Sequence, residues 1–359
     1  MFNKTKRFPL GKIITIGMMP SFIKKWIYKL KGYKIGKNTH FGFGSIIIGK
    51  NVSINNDTKI GFGSIIQAKK INFGKNVKIG ALNYINTQEI EIGDNSIIRE
   101  QVYIGGMTTP KSILRIGKNV KIFQFTVLNT TDILTIEDNV GIGGRCSIFT
   151  HGSWQSILEG YPAQFAPVTI KKNAWLPWHV FVMPGVTIGE GATIGANSLI
   201  TKNVSDFSLA VGIPAKIIKT PPEYPKEINN EKKVYLFKNI ISNFIEYLQY
   251  FQVSVQSIEY ENYIILELEW EKQKFLRKKK ESFNLLFSLM WEEFRFNFSQ
   301  YDVIISLFSF PKMVKMKLSE QNISWFDIES KQYFGKQTKL EEVISSFLSR
   351  YGIKFPNKY

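Results

Sequence analysis

The sequence predicts a mainly β protein whose central part is a parallel β-helix, flanked by an N-terminal capping helix and a C-terminal α+β domain. Apolar residues recur every six residues over roughly 34–215, and Gly and Asn recur between these positions. Both features stop near Pro221-Pro222, in a chain of 359 residues that is long enough for two domains. We therefore expect a helical cap over 1–33, the β-helix over 34–220 and the α+β domain over 221–359.

The six-residue period is the strongest of these signals, because neither an α-helix nor a single β-strand has it. Its positions are Ile48, Ile54, Ile60, Ile66, Phe73, Ile79, Ile85, Ile92, Ile98 and Ile104, then Ile136, Ile142 and Ile148, then Ile170, Leu176, Val182, Ile188, Ile194 and Ile200. Gly and Asn accept positive φ and suit tight corners between short strands. We expect triangular coils of about eighteen residues that pair as parallel strands about 4.8 Å apart.

The end of the repeat carries the most specific motifs. Residues 168–219 include Val-Thr-Ile-Lys-Lys-Asn-Ala-Trp, Met-Pro-Gly-Val-Thr-Ile-Gly, Ile-Gly-Ala-Asn-Ser-Leu-Ile-Thr-Lys-Asn-Val and Gly-Ile-Pro-Ala-Lys-Ile-Ile-Lys. In these motifs the chain resembles the hexapeptide-repeat acyltransferases, and most of all those that acetylate sugars of polysaccharides. The resemblance covers about half of the chain and implies a left-handed β-helix, a homotrimer and acetyl-CoA as co-substrate. The chain departs from the family pattern at 176–179 and at Ile213.

Three histidines are candidates for a general base, namely His40, His151 and His179. His151 ends a strand of the repeat and opens a long non-repeating excursion that returns at Val168. Acyl transfer from a thioester needs a base for the acceptor's proton, and neutral imidazole suits this near pH 7. Because the family's catalytic histidine lies at such an excursion, the resemblance assigns the base to His151; the alternative is a loop histidine that only contacts solvent.

The resemblance also implies the other site residues. Trp175 matches a recurrent tryptophan whose indole N–H would stabilise the thioester oxygen, although it is equally suited to packing on the coil. We expect Trp154 and His179 near the acceptor. The predicted coenzyme-A-binding residues are Ala196, Ser198, Thr201, Lys202, Lys216 and Lys219. The backbone of the first two would pair with the pantetheine arm, and the lysines would meet the phosphates.

Composition narrows the classes of partner. Lys and Arg number 47 against 29 Asp and Glu, a net charge of +18. The lysines recur singly at corners, such as Lys37 and Lys75, which favours solvated turns over nucleic-acid binding.

The lone Cys146 rules out an internal disulfide or a thiolate cluster, so we expect no metal. No signal pattern or long apolar run occurs, and we predict a cytoplasmic protein.

The regions on either side of the repeat differ from it in composition. Residues 13–30 read as one amphipathic helix that caps the first coil, and its lysines with Trp26 and Tyr28 suggest, as an alternative, peripheral contact with the inner face of the membrane. After Pro222 the pattern predicts these elements: a helix over 234–251, strands over 263–270 and 303–308, and a closing helix over 340–351.

The leading functional hypothesis is an acetyl-CoA-dependent O-acetyltransferase acting on a sugar of a bacterial-type surface polysaccharide, capsule or lipopolysaccharide, or its precursor. Two alternatives are N-acylation of a nucleotide-linked amino sugar and a non-catalytic β-helix scaffold. Family members that act on galactoside or maltose bind the acceptor through an Asn upstream of the histidine, whereas the matching stretch 122–125 reads Ile-Phe-Gln-Phe. This difference disfavours that acceptor class.

Overall fold

The computed structural model describes residues 9–274, 277–290, 298–336, 338–355 and 357–358. The chain divides into two compact units, Met1–Glu227 and Ile228–Tyr359. Within the described ranges, no helix has the length and apolar character needed to cross a bilayer.

The first unit is a β-helix whose coils wind around three sheets, here called faces 1, 2 and 3. Face 1 consists of Lys34–Ile35, Asn51–Ile54, Lys70–Phe73, Glu89–Ile92, Ile113–Ile116, Leu134–Ile136, Val168–Ile170 and Thr187–Ile188. Face 2 consists of His40–Phe41, Lys59–Ile60, Lys78–Ile79, Ile97–Ile98, Lys121–Ile122, Gly141–Ile142, Trp175–Leu176, Thr193–Ile194, Leu209–Gly212 and Ala215–Lys219. Face 3 consists of Ile46–Ile48, Ile65–Gln67, Tyr84–Asn86, Tyr103–Gly105, Val127–Asn129, Ser147–Phe149, Phe181–Val182 and Leu199–Ile200. The predicted left-handed parallel β-helix is confirmed.

The core of the β-helix consists of inward apolar side chains that align with their equivalents in the coils on either side, and the four-residue strands of face 1 contribute two each, as in Val52 and Ile54. Of these, one core position in each parallel strand repeats from coil to coil. Along the chain, the core position of face 2 follows that of face 1 after six residues, and that of face 3 follows after six more, as in Ile54, Ile60 and Ile66. The step from face 3 back to face 1 varies instead, from six residues between Val182 and Ile188 to twenty-two between Ile148 and Ile170. We call this variable corner edge 3–1.

The predicted coil length of about eighteen residues applies to the closing coils, and the early coils are one residue longer. The closing coils have eighteen, as from Ile170 to Ile188, but the early coils have nineteen, as from Ile54 to Phe73. The extra residue is accommodated at edge 3–1. For the same reason the core position of the first face 3 strand is Ile47, which is buried, and not Ile48, which is only half-buried.

The two constant corners use residues with positive φ. At the corner between faces 1 and 2 these residues are Asn38, Asp57, Asn76, Asn95, Asn119, Asn139 and Asn173. Neighbouring side chains in this column form hydrogen bonds, and Asn76 Nδ2 donates to Asn95 Oδ1 at 3.0 Å. The predicted role of Asn at the corners is thus confirmed. The corner between faces 2 and 3 also has positive φ, at positions that include Gly63, Arg145 and His179.

The N-terminal cap is not the single helix that we predicted over 13–30. It comprises Leu10–Lys12, a π-helical turn at Ile13–Gly17, and a separate α-helix at Ser21–Leu30. Pro20 causes the break, because proline lacks an N–H donor and disfavours the helical conformation of the residue before it.

The cap packs on the first coil through polar as well as apolar groups. The Lys24 side chain is buried, and its Nζ donates to Gly42 O at 2.6 Å and to Ser45 O at 3.0 Å. Burial lowers the pKa of Lys24 to about 8. The Tyr28 hydroxyl oxygen accepts the Ile47 N–H at 3.0 Å. These bonds satisfy first-coil backbone groups at the open end of the β-helix.

The second unit is a mixed sheet with helices on its surfaces. Its strands, in spatial order, are Ser254–Glu259, Tyr263–Lys274, Arg277–Ser288, Val303–Ser306, Ser324–Asp327, Gln332–Phe334 and Asn357–Lys358. Its helices are Asn230–Tyr250, Lys312–Glu320 and Lys339–Leu348, with 3₁₀ turns at Phe298–Gln300 and Ser349–Tyr351. The predicted helices and strands of this region are present, with bounds that differ by a few residues.

Candidate active site

His151 lies at edge 3–1, directly after a strand of face 3. The chain leaves the β-helix there as the excursion 151–167, whose strands His151–Gly152 and Gln164–Phe165 pair antiparallel. The imidazole ring lies between two aromatic rings, with centroid distances of 6.4 Å to Phe149 and 5.8 Å to Phe165. These rings restrict the orientation of the half-buried imidazole.

A buried polar pair from the preceding coil holds one nitrogen of the ring. His151 Nδ1 lies 3.0 Å from Asn129 Oδ1 and 3.1 Å from Thr131 Oγ1. The Thr131 backbone N–H also donates to Asn129 Oδ1, at 3.2 Å, which identifies this atom as the amide oxygen. Nδ1 therefore carries the proton and donates it to Asn129, and Nε2 carries the lone pair. This is the tautomer in which Nε2 acts as a base.

Gly106, one coil further back, makes room for this pair. Its φ is +149°, and a Cβ there would lie 2.6 Å from Thr131 Oγ1 and 3.0 Å from Asn129 Oδ1. The next residue, Met107, donates its N–H to Thr131 Oγ1 at 3.1 Å. Sequence reasoning missed these supporting residues because they lie 20 to 45 positions before His151. The available signal was the coil length, which puts Asn129 in register with Phe149.

The predicted site residues fall into two groups on different parts of the β-helix. The edge group lies at edge 3–1 or on the excursion and contains His151, Trp154, Thr201 and Lys202. The face group lies on face 2 or at its corner with face 3 and contains Trp175, His179, Ala196, Ser198, Lys216 and Lys219. In a triangular coil, edge 3–1 is opposite face 2. One copy of the chain therefore does not bring His151 and Trp175 together.

The chain is similar to the galactoside O-acetyltransferase of Escherichia coli (strain K12), with 34% identity over 131 residues. The aligned part is 36% of this chain and spans 61% of the relative's length. The resemblance to the hexapeptide-repeat acyltransferases is confirmed. No protein-family model matches the chain.

Two solved acetyltransferase structures are similar to this chain at low sequence identity. The polySia-specific acetyltransferase NeuO has 19% identity and a TM-score of 0.41, over 56% of this chain and 86% of that protein. A galactoside acetyltransferase in complex with coenzyme A has 19% identity and a TM-score of 0.29, over 62% of this chain and 80% of that protein.

The members of the edge group other than His151 are exposed. Trp154 is 97% exposed and Leu158 is 95% exposed, so the excursion presents apolar side chains to solvent. Thr201 and Lys202 are also exposed, and they follow the face 3 strand that is two coils beyond Ser147–Phe149. A positive charge thus lies about 10 Å along the same edge from His151, at the usual spacing of parallel strands.

Most side chains of the face group are exposed. Trp175 is 55% exposed, and its indole packs over Gly141, where an added Cβ would lie 3.4 Å from Cδ1. His179 is exposed and has a φ of +63°, so it occupies a corner position of the coil. The Ser198 side chain is buried, and its oxygen accepts the Gly212 N–H at 3.1 Å, which is a structural role. The remaining members present exposed side chains, namely Ala196, Lys216 and Lys219.

Two further kinds of chemistry find no support in the described part of the chain. Burial raises the pKa of the Cys146 thiol to about 11, so the thiol stays protonated near neutral pH and is a poor nucleophile. Across the described residues, no group of three His, Cys, Asp or Glu side chains is placed to hold a metal ion.

Proposed function

We propose that this protein is a cytoplasmic acetyl-CoA-dependent O-acetyltransferase that modifies a sugar of a surface polysaccharide or of its precursor. One observation carries the proposal: His151 Nδ1 lies 3.0 Å from the amide oxygen of Asn129, an atom that can only accept, from which we infer that Nδ1 is protonated and Nε2 is the basic nitrogen. Such a preset tautomer is what a general base for a hydroxyl acceptor requires. The similarity to a galactoside O-acetyltransferase supports a sugar as acceptor.

The reaction that follows from this geometry is a direct transfer. His151 Nε2 removes the proton from the acceptor hydroxyl as its oxygen forms a bond to the thioester carbonyl carbon. The carbon–sulfur bond then breaks, and the imidazolium returns its proton to the departing sulfur. The indole N–H of Trp175 stabilises the negative charge on the thioester oxygen between these two steps. No residue of the chain is acylated.

The separation of the edge group from the face group leads us to propose that the site forms between copies. In a cyclic homotrimer, edge 3–1 of one copy lies against face 2 of the next, and each contact then contains both groups. Lys202 of one copy and Lys216 of its neighbour would approach the coenzyme A phosphates from two sides, since both are exposed cations. Light scattering should then give about three times the chain mass of 41.3 kDa.

The catalytic part of the proposal is tested by incubating the full chain with acetyl-CoA and purified capsule or lipopolysaccharide fragments, followed by mass spectrometry. We expect a gain of acetyl groups that mild alkali removes, because esters are labile under these conditions. An alkali-stable product would indicate N-acylation of an amino sugar instead. No acetyl transfer to any acceptor, together with no release of free coenzyme A, would favour the scaffold alternative.

Complementation between two inactive variants tests whether the site is shared between copies. His151→Ala removes the edge half, and Trp175→Ala combined with Lys216→Glu removes the face half. Co-expression should restore activity at about one quarter of the sites, because random mixing pairs the two intact halves at that frequency. Mixtures without any recovery, from variants that still co-assemble, would mean that each copy works alone.

A further inference from the structure

The N-terminal cap carries a row of exposed apolar side chains at a spacing of four residues. We call it the N-terminal stripe, and its members are Leu10, Ile14, Met18, Phe22, Trp26 and Leu30. Their exposures range from 49% for Met18 to 72% for Phe22. Isolated exposed apolar residues are common, but six large ones within residues 10–30, three of them on one side of the helix Ser21–Leu30, mark an interaction surface.

The other side of the cap already has its partner. Lys24 and Tyr28 are buried against the first coil, and Gly17 packs beside Gly44 and Ile46. Capping the β-helix therefore uses one side of these helices and leaves the N-terminal stripe uncovered. The exposed apolar side chains of the stripe require an apolar environment of their own.

Charge indicates which environment this is. The first 56 residues contain eleven Lys and Arg and no Asp or Glu, since the first acidic residue is Asp57. Lys12, Lys29 and Lys31 are exposed next to the stripe. Two copies meeting through their stripes would bring two strongly cationic segments together, and like charges across an interface are unfavourable. A partner with an apolar interior and a negatively charged boundary would accommodate both the apolar stripe and the surrounding lysines.

We infer that the N-terminal stripe docks on the surface of an anionic lipid bilayer. The six apolar side chains enter the boundary between head groups and acyl chains, and the neighbouring lysines contact the lipid phosphates. The inference is independent of the acetyltransferase activity, because it rests on residues outside both the edge group and the face group.

The test is flotation of the full chain with vesicles of phosphatidylcholine alone and with vesicles containing about 30% phosphatidylglycerol. We expect binding to the anionic vesicles only. Phe22→Ser combined with Trp26→Ser should weaken this binding by at least about tenfold, because two large side chains lose their burial in the membrane. Lys29→Glu combined with Lys31→Glu should remove the preference for phosphatidylglycerol.

The matched control is Tyr235→Ser combined with Tyr250→Ser, which removes two aromatic side chains that are 56% and 82% exposed on the helix Asn230–Tyr250. It should bind vesicles like the wild type. Thermal unfolding and the mass in solution are measured for every variant. The inference is overturned if the wild type fails to float with anionic vesicles. It is also overturned if the Phe22 and Trp26 variant loses assembly in the absence of lipid, since the stripe would then contact a second copy.

Discussion

His151 at edge 3–1 and Trp175 on face 2 differ in the number of contacts that hold their side chains. At the edge, His151 is fixed by two ring contacts and by the buried pair Asn129 and Thr131. On face 2, Trp175 is more than half exposed and packs over a glycine. A single chain therefore fixes the orientation of the proposed base, whereas the indole of Trp175 would be covered by a neighbouring copy only in the proposed trimer.

The largest effect should come from removing the base at the edge. His151→Ala should lower kcat by about 10²–10⁴-fold while leaving the affinity for acetyl-CoA nearly intact. The matched control is His40→Ala, since His40 is exposed on the first coil and belongs to neither group. Steady-state kinetics with the true acceptor measures both. Wild-type turnover in His151→Ala would refute the assignment of the base.

The next effect tests whether the hydrogen bond to Asn129 orients His151 before substrate binds. Asn129→Leu removes the acceptor of the Nδ1–H bond and permits the other tautomer, so kcat should fall by about 10- to 100-fold with little change in KM for acetyl-CoA. Thr130→Val is the control, because the Thr130 hydroxyl has no hydrogen-bond partner in the structure as described. If both variants lose activity equally, the cause is packing and not orientation of His151.

A smaller effect is expected on face 2. Trp175→Phe keeps an aromatic ring but removes the indole N–H, and we expect kcat to fall by about tenfold, less than for His151→Ala. A donor to a developing charge acts on kcat, whereas a packing residue acts on stability. A lower melting temperature with unchanged kcat would assign Trp175 to packing on Gly141.

The smallest effects concern single charges on the two halves. Lys202→Glu at the edge and Lys216→Glu on face 2 should each weaken acetyl-CoA binding by up to about fivefold, as expected for exposed ionic contacts. The double variant should lose more than either single one. Calorimetry on folded proteins measures these affinities. An effect confined to one of the two lysines would place the phosphates on that half alone.

Sequence reasoning identified most of the fold because the inward positions of the β-helix repeat along the chain itself. It placed the corners correctly, since Asn and Gly have a known preference for positive φ. It misplaced Ile48, because a slip of one residue at edge 3–1 does not disturb the apolar pattern that follows. It also continued one helix through Pro20, where the missing N–H donor ends it.

The candidate site was less accessible from the sequence. His151 could be singled out because it opens a visible interruption of the repeat. Asn129 and Thr131 lie in ordinary-looking positions, and only the length of the intervening coil brings them to the imidazole ring. The separation of the two groups on opposite sides of one coil has no local signature either, since it depends on which of the three faces each residue occupies.

The variable step at edge 3–1 has a consequence for how such chains diverge. Residues can be inserted or deleted there without shifting the core columns, because the steps between the other faces keep six residues, as in Ile136, Ile142 and Ile148. The excursion that begins at His151 is the longest of these insertions. The loop that carries the proposed base can therefore change in length at a single corner, while the rest of each coil keeps the geometry that folding requires.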